Sequence, residues 1–109
     1  MGEIRIMGLD ITIHRKDVKY GSDYWFDGRN AFREVKDFML EKYHYCYGTD
    51  FPLTFNLCEE LKVVIAKTMY DNINNNRKVN RLKELFYAIT NVQIDMEQND
   101  TKWYFEATW

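Results

Sequence analysis

Near its start the chain alternates between apolar and polar residues. Ile4 and Ile6 occupy one phase of this two-residue period, and the phase changes at Met7-Gly8. The other phase is occupied by Leu9, Ile11 and Ile13. Alternation over this length predicts a half-buried β-strand. Two interpretations of the phase change stay open: a bulge within one strand, or an upstream extension, Met1–Ile6, ahead of the strand.

Three stretches with apolar residues at spacings of three and four predict α-helices. Ser22 and Asp27 are both possible N-caps of the first helix, and Gly28 favours the later start. Asn56 and Glu59 fit a capping box at the start of the second helix. The apolar positions of the three helices are, in chain order, Ala31, Phe32, Val35, Phe38 and Met39; Leu57, Leu61, Val64, Ile65 and Met69; Val79, Leu82, Leu85, Phe86 and Ile89.

The period returns to two after residue 91. Val92, Ile94 and Met96 alternate with polar residues, and a second alternating stretch, Trp103–Trp109, follows a turn. This predicts a C-terminal β-hairpin, which we favour because Thr90-Asn91 makes a poor helix interior. The alternative extends the third helix through Met96. The predicted fold is therefore α+β, in the order β-α-α-α-β-β: a small antiparallel sheet, made of the N-terminal strand and the C-terminal hairpin, packed against about three helices.

Size and charge exclude several classes of protein. A chain of 109 residues, 46% of them hydrophobic, is expected to form one domain over residues 1–109. Its net charge of −2 does not favour broad electrostatic attraction to nucleic acid. No apolar run approaches the roughly 18 residues of a membrane span. Since no signal-peptide core precedes the two cysteines, we expect reduced thiols, a cytoplasmic location and no membrane contact.

Residues suited to metal binding or catalysis are few. His44, Cys46 and Cys58, with His14 as a fourth, could supply zinc ligands, but no Cys-x-x-Cys or His-x-x-x-His pair holds two of them in local geometry. A thiol with His44 as its base is the remaining enzyme hypothesis, and the first turn of a helix would lower the thiol pKa of Cys58. Because no catalytic motif accompanies these residues, we predict no catalytic residue, metal or cofactor, and no enzyme.

Four cations occupy the first turns of the third helix: Arg77, Lys78, Arg81 and Lys83. Cations at a helix N-terminus oppose the helix dipole, which costs about 0.3–1 kcal/mol each at an exposed site. The free N–H groups at the same end suit an anion. An acidic partner surface or a phosphate backbone would relieve the cost. The alternative is a solvated basic face that is balanced by the acidic C-terminal segment.

Aromatic residues make up 17% of the chain, which is more than one small core requires. Tyr and Trp are enriched at binding hot spots because they cover area with few rotatable bonds. The alternative is that they line the rim of the sheet. Together with the four cations, we predict Trp25, Tyr45 and Tyr47 as partner-binding residues.

The opening Met7-Gly8-Leu9-Asp10-Ile11-Thr12-Ile13 resembles that of a group of small uncharacterised bacteriophage and prophage proteins, which begin Met-Gly-Leu-Asp and run into a short strand. Looser matches follow at Tyr24-Trp25, Asn30-Ala31-Phe32, Leu53-Thr54 through Glu60-Leu61, and Tyr104–Trp109. The resemblance implies a phage or prophage accessory protein. Small phage proteins of this kind often block a host pathway, CRISPR nucleases included.

These observations predict a non-enzymatic, phage-encoded binding protein that occupies a surface of a host protein, such as a CRISPR effector nuclease. The alternative is a small nucleic-acid-binding protein that uses the basic start of the third helix. Pairing of exposed strand edges would also allow a homodimer.

Overall fold

The computed structural model describes residues 8–15 and 23–109, which form four strands and three helices. In chain order these are β1 (Asp10–Arg15), β2 (Tyr24–Asp27), α1 (Arg29–Tyr43), β3 (Phe51–Leu53), α2 (Phe55–Asp71), α3 (Asn76–Asn99) and β4 (Trp103–Thr108). The strands make one antiparallel sheet in the order β2-β1-β4-β3. Both interpretations of Met1–Ile6, and Ser22 as an N-cap, lie outside the described residues.

The predicted fold class, α+β with an antiparallel sheet against three helices, is confirmed. The predicted succession of an N-terminal strand, three helices and a C-terminal strand is also present. Two short strands, β2 and β3, are added to it, so the observed order is β-β-α-β-α-α-β. Both added strands lie at edges of the sheet, and Pro52 fits an edge because it has no N–H to donate.

The predicted C-terminal hairpin is wrong, because α3 continues to Asn99 and only β4 follows it. Val92 and Met96 are four residues apart, so they also share one face of a helix, and Val92 is fully buried there while Ile94 is left exposed. Thr90 is accommodated because its hydroxyl donates to the carbonyl of Phe86, one turn back, at 3.0 Å. Packing of this face against the core outweighs the weak local helix propensity.

Helix starts differ from the predicted ones by one or two residues. The N-cap of α1 is Gly28, and Asp27 belongs to β2. The N-cap of α2 is Thr54, whose hydroxyl accepts a hydrogen bond from the backbone N–H of Leu57 at 3.0 Å, so the predicted capping box at Asn56 is wrong. None of the helices in the described part of the chain is long and apolar enough to cross a membrane.

The two faces of the sheet have opposite character. Ile11 and Ile13 of β1 lie opposite Ala107 and Phe105 of β4, and all four are buried in the core that the sheet shares with the helices. The alternate residues point to the other side, which we call the open face. There Thr12 lies opposite Glu106.

Candidate functional site

The N-termini of α1 and α3 lie side by side and border a cleft of about 280 Å³. We call it the cationic cleft; it is lined by Gly28, Asn30, Ala31, Asn75, Arg77, Lys78 and Arg81. Gly28 gives α1 no side-chain cap, whereas the Asn75 side chain accepts from the backbone N–H of Lys78 at 3.1 Å. Two positive helix ends and three cationic side chains therefore face one space, which favours an anionic group.

Lys78 is already paired within the fold. Its ammonium lies 3.2 Å and 3.1 Å from the two carboxylate oxygens of Glu34 on α1, and its side chain is only 12% exposed. This pair holds the first turn of α3 against α1. Lys78 consequently contributes to the shape of the cationic cleft more than to its available charge.

Arg81 also serves the fold. Its guanidinium donates to the backbone carbonyl of Asp27 at the end of β2 and lies 5.6 Å from the centre of the Phe32 ring. Its Nε also lies 3.9 Å from a carboxylate oxygen of Glu84, one turn further along α3, which makes a long, exposed ion pair. Arg81 thus ties α3 to the sheet and keeps its charge at the rim of the cationic cleft.

Arg77 and Lys83 are both exposed, and neither has an ion pair among residues 8–15 and 23–109. They differ in position, because six residues along a helix correspond to a rotation of about 120° between side chains. Arg77 lines the cationic cleft and Lys83 does not. The four predicted cations therefore do not act as one group: three border the cleft, and one lies elsewhere on α3.

The three predicted aromatic anchors are also separated by the fold. Trp25 is 61% exposed on the open face, and Tyr47 is 57% exposed with its ring 4.9 Å from that of Trp109. Tyr45, by contrast, is 4% exposed and belongs to the core, so its ring is not available to a partner. The prediction of Tyr45 as a surface anchor is therefore corrected to a structural role.

The hydroxyl of Tyr45 makes hydrogen bonds inside the fold, which allow this polar side chain to be buried. It donates to the carbonyl of Thr49 at 2.5 Å and accepts from the backbone N–H of Ala107 at 2.8 Å, so it joins the α1–β3 connection to β4. Burial raises the pKa of this phenol. Tyr43, Tyr45 and Tyr47 alternate in the sequence, and nothing in that alternation tells which of them is buried.

A second cleft, of about 150 Å³, lies on the open face. We call it the open-face cleft; it is lined by Asp10, Thr12, Trp25, Glu106 and Thr108. Two carboxylates beside an exposed indole ring make a suitable contact for a cationic side chain. Sequence reasoning missed the two carboxylates because Asp10 and Glu106 come from the first and last strands and meet only through the register of β1 with β4.

The two cysteine residues lie in different environments. Cys58 is fully buried, and burial raises the pKa of its thiol to about 12, so the lowering expected from the helix N-terminus is wrong. Cys46 is exposed and free. Within the described residues, His44, Cys46 and Cys58 do not form a cluster of metal ligands.

Comparison of the chain with models of protein families, with curated proteins and with solved structures gives no match.

Proposed function

We propose that this chain is a non-enzymatic binding protein that occupies a surface of a partner protein. The observation that carries the proposal is the position of two clefts of opposite charge beside β2. Trp25 lines the open-face cleft and Gly28 lines the cationic cleft. Three residues of extended chain span about 10 Å, so the borders of the two clefts are closer together than the width of an ordinary protein interface.

Opposite charges at this spacing support a protein partner. A protein surface presents carboxylates and cationic side chains together, whereas a nucleic acid presents a continuous row of phosphates. A phosphate backbone seated in the cationic cleft and continued along β2 would approach the carboxylates of Asp10 and Glu106, which would repel it. An acidic side chain of a partner fits the cationic cleft, and a neighbouring Lys or Arg fits the open-face cleft beside Trp25.

Nucleic-acid binding is the second candidate function, and the paired helix N-termini favour it. Backbone N–H groups at two adjacent helix starts suit a phosphate group. This alternative makes a distinct prediction, because each phosphate contact adds about 0.9 to the slope of log affinity against log salt concentration on double-stranded DNA. A protein interface with a few ion pairs gives a shallower dependence.

The phage or prophage origin and a host target enter the proposal through the sequence resemblance that begins at Met7–Ile13 and continues more loosely along the chain. That resemblance supports a bacterial host protein as the partner class. A host defence component, such as a CRISPR effector nuclease, is the first kind of partner to test.

The proposal is tested by affinity capture from a bacterial lysate with and without nuclease. Arg77→Glu reverses the exposed charge in the cationic cleft, and Lys83→Glu makes the same change on the same helix outside the cleft. We expect Arg77→Glu to abolish capture of a protein that wild type and Lys83→Glu retain in the presence of nuclease. Trp25→Ser tests the open-face cleft, with Tyr70→Ser, a 79% exposed aromatic on α2, as its control.

If Arg77→Glu and Lys83→Glu reduce capture equally, the cationic cleft has no specific role in binding. If nuclease treatment abolishes capture, the partner is a nucleic acid and the proposal of a protein partner is wrong.

A further inference from the structure

A buried histidine and two carboxylates meet at the open face of the sheet. His14, Asp50 and Glu106 each present one ligand atom, and these three atoms lie within 4.8 Å of one another. They come from β1, from the residue before β3, and from β4, which are consecutive across the sheet. We call this group the His14 cluster. Within the described residues it is the only group of three or more such side chains at this spacing.

The orientation of His14 is fixed by the backbone. The imidazole is 2% exposed and stacks on Tyr104, with ring centres 5.9 Å apart. Its Nδ1 lies 3.1 Å from the carbonyl oxygen of Arg15. A carbonyl can only accept, so Nδ1 carries a hydrogen and donates it. In the neutral ring, Nε2 then has a lone pair and no hydrogen.

That lone pair points at a carboxylate. Nε2 of His14 lies 3.1 Å from Oδ1 of Asp50. Two electron-rich atoms at this distance require a positive centre between them, which is either a proton on Nε2 or a metal ion. Donation from the second ring nitrogen to a backbone carbonyl is the arrangement that orients histidine ligands in metal sites.

We propose that the His14 cluster binds one divalent transition-metal ion, with Zn²⁺ or Mn²⁺ as the expected class. One imidazole with two carboxylates suits these ions, whereas Mg²⁺ and Ca²⁺ prefer oxygen ligands alone. The inference does not depend on the proposed function, because the three ligands all belong to this chain and no partner protein is needed to hold the ion.

The distances support coordination. Ligand atoms about 2.0–2.2 Å from a tetrahedral Zn²⁺ lie about 3.3–3.6 Å from one another. The His14–Asp50 pair, at 3.1 Å, is close to this value. The three ligand atoms lie within 4.8 Å of one another, so no two of them have to move closer by more than about 1.5 Å to reach the distance in a tetrahedral site. Rotation of a carboxylate group is enough for a movement of this size. Asp50 is one-third exposed, so an ion can enter from solvent.

Glu106 has capacity left for a ligand. Its carboxylate accepts one hydrogen bond, from the Thr12 hydroxyl at 3.3 Å, and has no Lys or Arg partner in the part of the chain that the structure describes. Three protein ligands would leave a fourth position on Zn²⁺ for water or for a side chain of a partner.

The test is calorimetric titration of the full chain with Zn²⁺, after removal of adventitious metal with a chelator. We expect one ion per chain and a shift of the His14 imidazole signals in the NMR spectrum. Glu106→Gln and Asp50→Asn keep the side-chain shape and remove a charged ligand, and each should weaken binding at least tenfold. Mg²⁺ should bind more weakly than Zn²⁺ or Mn²⁺.

Two controls separate this site from other Zn²⁺ ligands. Asp10→Asn makes the same charge change on the open face outside the His14 cluster and should weaken the affinity much less than either ligand variant, because Asp10 offers no ligand atom to the ion. Cys46→Ser removes the exposed thiol and should also have no effect.

Binding that survives in both carboxylate variants, or is lost in Cys46→Ser, would overturn the assignment. So would Mg²⁺ binding as tight as Zn²⁺, or no binding of Zn²⁺ and Mn²⁺ up to about 1 mM. In the last case a proton lies between Nε2 of His14 and Oδ1 of Asp50, and the two side chains form an ordinary hydrogen bond.

Discussion

The cationic cleft and the open face of the sheet differ in how their charges are used. In the cationic cleft, Lys78 is paired with Glu34 and Arg81 binds the end of β2, so the fold employs two of the three cations. On the open face, Glu106 accepts one hydrogen bond, from Thr12, and has no ion pair in the described ranges. A charge cluster that is conspicuous in the sequence is here largely structural, whereas Glu106, which only the fold brings close to His14, keeps capacity for a ligand.

The same division separates the aromatic residues. Tyr45 and Tyr47 are only two residues apart. Tyr45 is buried and its hydroxyl is hydrogen-bonded to β4, whereas Tyr47 is more than half exposed. Removal of a group that the fold uses should lower stability. Removal of an exposed group should change only binding. The following predictions test this division, from the largest expected effect to the smallest.

The largest effect is expected for Tyr45→Phe. The substitution leaves the buried backbone N–H of Ala107 without its acceptor, and an unsatisfied buried donor costs about 1–3 kcal/mol of the free energy of unfolding. Tyr47→Phe removes the same hydroxyl from an exposed ring and should change stability by less than about 0.5 kcal/mol. Urea denaturation of the two variants measures the difference. If both variants lose the same free energy of unfolding, the hydrogen bonds of the Tyr45 hydroxyl do not stabilise the fold.

An intermediate effect is expected in the cationic cleft. Arg81→Met removes the donor to the Asp27 carbonyl and the contact with the Phe32 ring, and should cost about 1–2 kcal/mol of the free energy of unfolding. Arg77→Met, four residues earlier on the same helix, should cost less than about 0.5 kcal/mol. Thermal or urea unfolding compares them. If the two variants unfold alike, Arg81 is as free for a ligand as Arg77.

The smallest effect is a pH dependence at the end of α3. Hydrogen bonds from Thr101, Asn99 and Trp103 lower the pKa of the Asp95 carboxyl in the folded chain. A lowered folded-state pKa stabilises the fold above the ordinary Asp pKa of about 3.9, and this contribution is lost as the pH falls through the lowered value. Asp95→Asn should therefore be less stable than wild type at pH 7.

The stability difference between wild type and Asp95→Asn should shrink as the pH falls below the usual Asp range. Thermal midpoints of both proteins, measured across this range, check the prediction. A difference that does not change with pH would mean that the Asp95 charge is not responsible.

The predictable parts of the fold were those with long, regular patterns. The first strand and the three helices followed from apolar spacing, because a periodic face specifies an element without reference to the rest of the chain. The two short strands were not predicted, since the four residues Tyr24–Asp27 and the three residues Phe51–Leu53 are too few to show a period. Val92 and Met96 fit two periods at once, and burial against the core selected the helix.

The candidate sites were predictable only in part. The cations near the start of α3 were visible because they are neighbours in the chain, and Trp25 was identified as an exposed aromatic. The pairing of Lys78 with Glu34 spans 44 residues and left no trace in the local pattern. His14 was considered as a metal ligand beside cysteines, but the carboxylates that meet it were not.

By itself, the sequence determined the class of the fold and the faces of its main elements, because amphipathic periodicity is a local property. Tertiary structure decided which charges and rings are free, since an ion pair or a buried hydroxyl depends on what packs against it. It also decided that His14 meets Asp50, 36 residues away, and Glu106. Strand order and register set those distances, and both follow from packing of the whole sheet on its helices.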